Sequence, residues 1–293
     1  MPGGVARENR SQHLSLVEHG LEMVKGKFDS AWFADHLQFE SRDVLESWTA
    51  LTYLAARHAD FQFGNAVLCQ SFRNPALVAK MGATLHFLSG GRFILGLGAG
   101  WKEDEYVAYG YDFPPTGVRI EQLDEYVKII KALWTQEQAT LRGQYYRVEN
   151  AYCEPKPEPM PTIMIGAMKP RMISLAVQHA DWWNVSWTTL EDYKGMVEVC
   201  ERECEQTGRN PRALRRTWFG GCICAPNEAE FEKLLGGRTP PHGGISGTAE
   251  QVIEQMQGFV DLGVNYFMLG TPGLPNFTTL ETLLDEVLPA LNV

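Results

Sequence analysis

An aspartate and a histidine stand together at Asp35-His36, directly after the short apolar run Ala31-Trp32-Phe33. If that run is a strand, the pair sits at its end. A carboxylate and an imidazole there can orient a substrate and move protons, because histidine titrates near neutral pH. The plainer reading is a surface aspartate beside a hydrogen-bonded histidine. A second candidate is Gly96-Leu97-Gly98-Ala99-Gly100-Trp101. It is not the dinucleotide fingerprint, because Trp101 takes the place of the last glycine. Gly98, Ala99 and Gly100 let backbone approach a flat ligand, or simply make a tight turn. A third is Gly166-Ala167-Met168-Lys169-Pro170-Arg171, which opens a helix. Free N–H groups there, with Lys169 and Arg171, form a seat for a phosphate, although Pro170 removes one donor. Trp182, Trp183 and Trp187 suit a wall for a planar heterocycle, or the core. The six cysteines include no Cys-x-x-Cys pair, so buried reduced thiols and no metal are expected. His13, His19, His58, His86 and His179 read as structural or surface residues.

The elements that must position these groups alternate. Leu14, Val17, Leu21 and Val24 share one face of a helix over 12–25. Strands are expected near residues 31, 61, 93, 162, 182, 217 and 265, with helices between them. Asn74-Pro75 marks a helix start, since Asn caps well and Pro suits the first turn. Residues 99–118 read as a long loop around Pro114 and Pro115. A patterned helix follows, with Ile120, Leu123, Val127, Ile130 and Trp134 inward. A hairpin around Gly143 and a proline-rich stretch form an insertion over 138–160. Residues 225–246, rich in glycine and poor in apolar side chains, read as an exposed flexible loop.

Strand–helix alternation over one continuous 1–293 domain predicts a parallel sheet, and a (β/α)8 TIM barrel ahead of an open doubly wound sheet. Seven strands are visible. The eighth belongs before the helix at 12–25, where the ten or so residues look wrong for a strand. The first strand is therefore expected to be short or missing, with the true start upstream or residues 2–8 pairing irregularly.

Acidic residues outnumber basic ones 36 to 26, a net charge of -10. That field repels nucleic acid and anionic membranes, so neither is an expected partner, and any anion needs a local cluster of bases. No apolar run reaches the roughly 20 residues of a membrane span. The N-terminus carries no signal core, so a cytoplasmic protein is expected.

Several stretches resemble the bacterial luciferase-like superfamily: Ala31-Trp-Phe-Ala-Asp-His36, Phe72-Arg-Asn-Pro-Ala-Leu77, Leu88-Ser-Gly-Gly-Arg-Phe93 and Leu97-Gly-Ala-Gly-Trp101. Tyr109-Gly-Tyr-Asp-Phe-Pro114, Gly247-Thr-Ala-Glu-Gln251 and Asp261-Leu-Gly-Val264 continue the match in order. The resemblance implies a (β/α)8 barrel, usually dimeric, using a flavin-type cofactor. Asp35-His36 is most similar to the branch that uses the deazaflavin coenzyme F-420. In that branch the histidine polarises substrate or transfers a proton, which maps to His36, and the neighbouring carboxylate, Asp35, contacts cofactor or substrate. The family's bulge behind the cofactor ring, often with a non-prolyl cis peptide, maps to Ala66-Val67-Leu68. Its phosphate contacts map to Gly166–Arg171. Sugar-phosphate dehydrogenases of the branch place a glutamate just after the glycines, where this chain has Trp101. The implied activity is hydride transfer between F-420 and a small alcohol, carbonyl or enone. The alternatives are an FMN-dependent monooxygenase served by a flavin reductase, and a non-catalytic flavin-binding protein.

Overall fold

The computed structural model describes residues 11–40, 42–272 and 274–291. In chain order the elements are α1 (His13–Val24), β1 (Ser30–Phe33), α2 (Ser47–Arg57), β2 (Gln62–Asn65), β3 (Leu68–Cys69), α3 (Pro75–Leu88), β4 (Phe93–Gly98), α4 (Glu103–Ala108) and α5 (Thr116–Thr135). Then come β5 (Ala139–Arg142), β6 (Arg147–Ala151), β7 (Thr162–Gly166), α6 (Pro170–His179), β8 (Trp182–Ser186), α7 (Leu190–Thr207) and β9 (Arg215–Ala225). The chain finishes with α8 (Glu228–Leu235), β10 (Ile245–Thr248), α9 (Ala249–Asp261), β11 (Val264–Gly270) and α10 (Thr278–Thr282). All seven expected strands are present, as β1, β2, β4, β7, β8, β9 and β11. The hairpin is present as the antiparallel pair β5–β6. The expected gap at the first strand falls on residues 1–10, outside the described residues.

The chain forms two compact units. One comprises residues 29–166 and 178–181. In it β1 pairs β2, β2 pairs β4, and β4 pairs β7, all parallel. These strands are buried almost throughout, as sheets covered by helices require. Local signals set the helix starts. Glu46 accepts from the N–H groups of Trp48 and Thr49 to begin α2, and Asn74 accepts from Ala76 N–H to begin α3. Arg92 donates to the carbonyls of Ala55, His58 and Phe61, tying the end of α2 to the strand that follows it.

The other unit holds residues 1–28, 167–177 and 182–293. Its central strand β9 pairs β8 and β11 along its first half and β10 along its second, again in parallel. Trp183, Trp218 and Tyr193 are buried in its core.

Two segments expected as loops carry helices. Within 99–118 lies α4, six residues long and too short to show a helical period. Within 225–246 lies α8, started by Asn227, whose side chain accepts from Glu230 N–H, and ended at Gly236 in the left-handed conformation. A segment with those two caps is a helix despite its poor apolar content, and Phe231 and Leu235 bury its inner face.

Candidate active site

β1 delivers Asp35 and His36 three residues apart at most from its last residue, and the two side chains go different ways. The His36 Nδ1 lies 2.6 Å from Glu105 Oε1. The other Glu105 oxygen accepts from Leu37 N–H at 2.8 Å. Glu105 is buried, and both its oxygens are engaged. When Glu105 is ionised and the ring neutral, the Nδ1 facing the carboxylate carries the proton and Nε2 presents a lone pair. Among the described residues Nε2 has no hydrogen bond, and the side chain keeps 16% of its surface. The pair has the geometry of a base with its orienting carboxylate, joined across 69 residues of sequence.

Glu105 escaped the sequence reading because it lies in α4, within the segment read as loop. The usable signal was the run Glu103-Asp104-Glu105-Tyr106, acids in the first turn of a helix followed by an aromatic anchor. Tyr106 fixes that turn. Its hydroxyl contacts Cys69 Sγ and Ser71 Oγ, each at 3.0 Å, and its ring packs on Phe72 and Phe113. Trp101 keeps the position directly after the glycines, and Glu105 stands four residues beyond it.

Asp35, expected to contact cofactor or substrate, has a side chain with no exposed surface. Its carboxylate takes two bonds from Arg73, at 2.9 and 3.0 Å, and one from Cys69 N–H at 2.9 Å. Burying an ionised carboxylate is costly without such partners, so the arginine claims it. Arg73 also pairs with Glu46, and the two acids keep its guanidinium charged against the opposing pull of burial.

The expected bulge is present. The Ala66–Val67 peptide is cis and non-prolyl. Val67 is half-buried, while Ala66 and Leu68 lie in the core. Val67 leans on two of the expected glycines. A Cβ on Gly98 would lie 2.5 Å from its Cγ2, and one on Gly166 would lie 3.3 Å from it. Gly98 therefore makes room for the bulge. Ala99 is half-buried. Gly100, at φ +77°, faces Tyr106: a Cβ there would lie 1.9 Å from the hydroxyl. These glycines serve close packing, which sequence spacing alone does not separate from ligand approach.

In the other unit, Ala167 is buried and its carbonyl accepts from Trp183 Nε1 at 2.8 Å. Met168 is partly exposed and its sulfur accepts from Ser186 Oγ at 3.6 Å. Lys169 and Arg171 are exposed at the start of α6. Of the three tryptophans, Trp183 is core. Trp182 starts β8, stacked with Arg215 and Tyr266. Trp187 alone follows the strand end, with φ +50° and 44% of its surface exposed.

The chain belongs to the luciferase-like monooxygenase family, whose sequence profile matches residues 11–240. It is 27% identical to an F420-dependent glucose-6-phosphate dehydrogenase of Amycolatopsis mediterranei (strain U-32), over 94% of each chain. It is 29% identical to an F420-dependent hydroxymycolic acid dehydrogenase of Mycobacterium tuberculosis, over 68% of this chain and 56% of that one. A solved F420-dependent secondary alcohol dehydrogenase, in complex with an F420-acetone adduct, superposes with a TM-score of 0.84 at 20% identity over 96% of each chain. That likeness shows the fold class, the α/β barrel fold of luciferase-like enzymes.

Proposed function

We propose that this chain is an oxidoreductase that moves a hydride between the deazaflavin coenzyme F420 and a small alcohol, or the matching carbonyl or enone. The His36–Glu105 pair carries the reading, and the F420-dependent relatives support it. A planar ring needs a surface poor in side chains. The bulge at Val67, flanked by Gly98 and Gly166, fits that need. Bound there, the cofactor supplies a ring carbon that accepts or gives a hydride.

The protein does the rest. In alcohol oxidation His36 Nε2 takes the hydroxyl proton as hydride leaves the carbon. Glu105 holds the ring in the required tautomer and stabilises the charge that forms on it. In carbonyl reduction the protonated Nε2 returns that proton. Asp35 and Arg73 hold the loop that carries His36. Lys169 and Arg171, exposed at a helix start, are the bases we assign to the cofactor phosphate. The same reading carries a cytoplasmic homodimer, which sedimentation of the purified chain tests.

Fluorescence titration of the apoprotein with oxidised F420 and with FMN tests the cofactor. F420 should bind at least about tenfold more tightly, or about 1.4 kcal/mol. A tenfold preference for FMN would instead make the chain a monooxygenase needing a flavin reductase.

A further inference from the structure

Beside His36 lies an open groove of about 790 Å³. Two of its walls, Phe39 and Trp101, pack edge-on against the His36 ring, with centroids 5.0 and 6.1 Å away. The far wall is Val107 of α4. Trp101 and Val107 leave 68% and 69% of their surfaces open, unusual for side chains of this type on one short stretch. The rim is acidic: Glu40, Glu103 and Asp104 line it against one ammonium, Lys102. That ammonium is already committed. It pairs with Asp104 and sits 5.1 Å over the Phe39 ring. Arg42, also near Phe39, pairs with Glu40. With Asp104 and Glu40 paired to these two cations, a dianionic phosphate entering here meets the remaining carboxylate of Glu103 and, among the described residues lining the groove, no unpaired cation, so charge complementarity is against it. An alkyl or aryl chain meets two aromatic faces and a valine.

We infer that this groove is the substrate's tail subsite, and that the preferred substrate is an uncharged alcohol, or its carbonyl, with an apolar chain of several carbons. Sugar phosphates are excluded. The inference rests on the proposed function only for the reacting end; the groove stands on its own geometry. Each methylene buried against Trp101, Phe39 and Val107 should raise kcat/KM about fourfold until the groove is full.

Two readouts test it. The first is F420 reduction with a series from 2-propanol to 2-octanol, and with glucose 6-phosphate. The second needs neither cofactor nor turnover: saturation-transfer NMR of 2-octanol on the protein. We expect kcat/KM to climb along the series and glucose 6-phosphate to fall at least about a hundredfold below 2-octanol. The terminal methyl of 2-octanol should receive saturation from the wild type. In Val107→Glu that signal should vanish, and the ratio of kcat/KM for 2-octanol over 2-propanol should collapse towards one. Saturation transfer lost in Val107→Glu, but no F420 reduction by any alcohol, supports the groove and overturns the proposed function. Turnover with a flat series, or glucose 6-phosphate ahead of 2-octanol, overturns the groove and leaves the proposed function standing.

Discussion

His36 follows a strand end with an orienting carboxylate on one nitrogen and an open position at the other, whereas His179, which also meets a carboxylate, closes the helix α6. His36→Ala should leave F420 affinity within a few-fold and cost about 10²–10⁴ in turnover. Glu105→Gln keeps the shape but lets the ring flip tautomer. It should lower kcat more than it raises KM, which steady-state kinetics over pH would resolve. Asp35 belongs to a different ledger. Asp35→Ala strands the Arg73 guanidinium with Glu46 alone and should cost about 3–5 kcal/mol of stability, read by urea denaturation. A variant of native stability without activity would return Asp35 to the catalytic group. The sequence told these two neighbours apart poorly. Both stand at a strand end, and what separates them is partners 38 and 69 residues away.

At the scale of elements, α4 is the part that the residue pattern concealed. Six residues cannot display a hydrophobic period, and the helix buries a glutamate and a tyrosine instead of an aliphatic stripe. It stays in place through Tyr106, so the site depends on contacts remote from His36. Gly100→Ala would drive a methyl into the Tyr106 hydroxyl from a left-handed backbone position. A destabilisation of about 2–4 kcal/mol is expected, with a loss of kcat as Glu105 shifts. Thermal melts and kinetics on the same preparation check it, and wild-type values in both would show that α4 has another anchor. The cap of α2 gives a pH prediction. Burial pushes the Glu46 carboxyl up, but the bonds from Thr49 and Trp48 and the nearby Arg73 outweigh it, so it sits below the ordinary glutamate range. Its stabilisation is complete above that ordinary range and drains as pH falls through the lowered value. The melting temperatures of wild type and Glu46→Gln should therefore converge in acid. By contrast, the strands and the Asn74-Pro75 cap were readable, because buried parallel strands and capping residues are written locally.

Across the whole molecule the charge balance and the thiols make separate demands. The chain carries a net charge of -10, so an anionic cofactor tail must be met by local bases. Replacing Lys169 and Arg171 together by Ala should weaken F420 binding at least about tenfold. All six cysteines are free and buried. Burial pushes the Cys69 thiol up to about 11 and those of Cys200 and Cys224 up to about 12, and raises Cys222 further. No thiol should react with Ellman's reagent at pH 8 until the chain unfolds, when all six should. Fold class and family were visible in the sequence because the motifs run in order along nearly the whole chain. The acidic partner of His36 and the acidic groove beside it were not, because both arise where α4 meets the loop after β1.

The central claim is that His36 passes a proton while a hydride moves to F420. Single-turnover mixing of the F420-loaded protein with a secondary alcohol, following loss of the oxidised cofactor's absorbance, tests it most directly. The account predicts rapid bleaching with the wild type. It predicts a rate about 10²–10⁴ lower in His36→Ala at full cofactor occupancy. Bleaching at the wild-type rate in His36→Ala would contradict it.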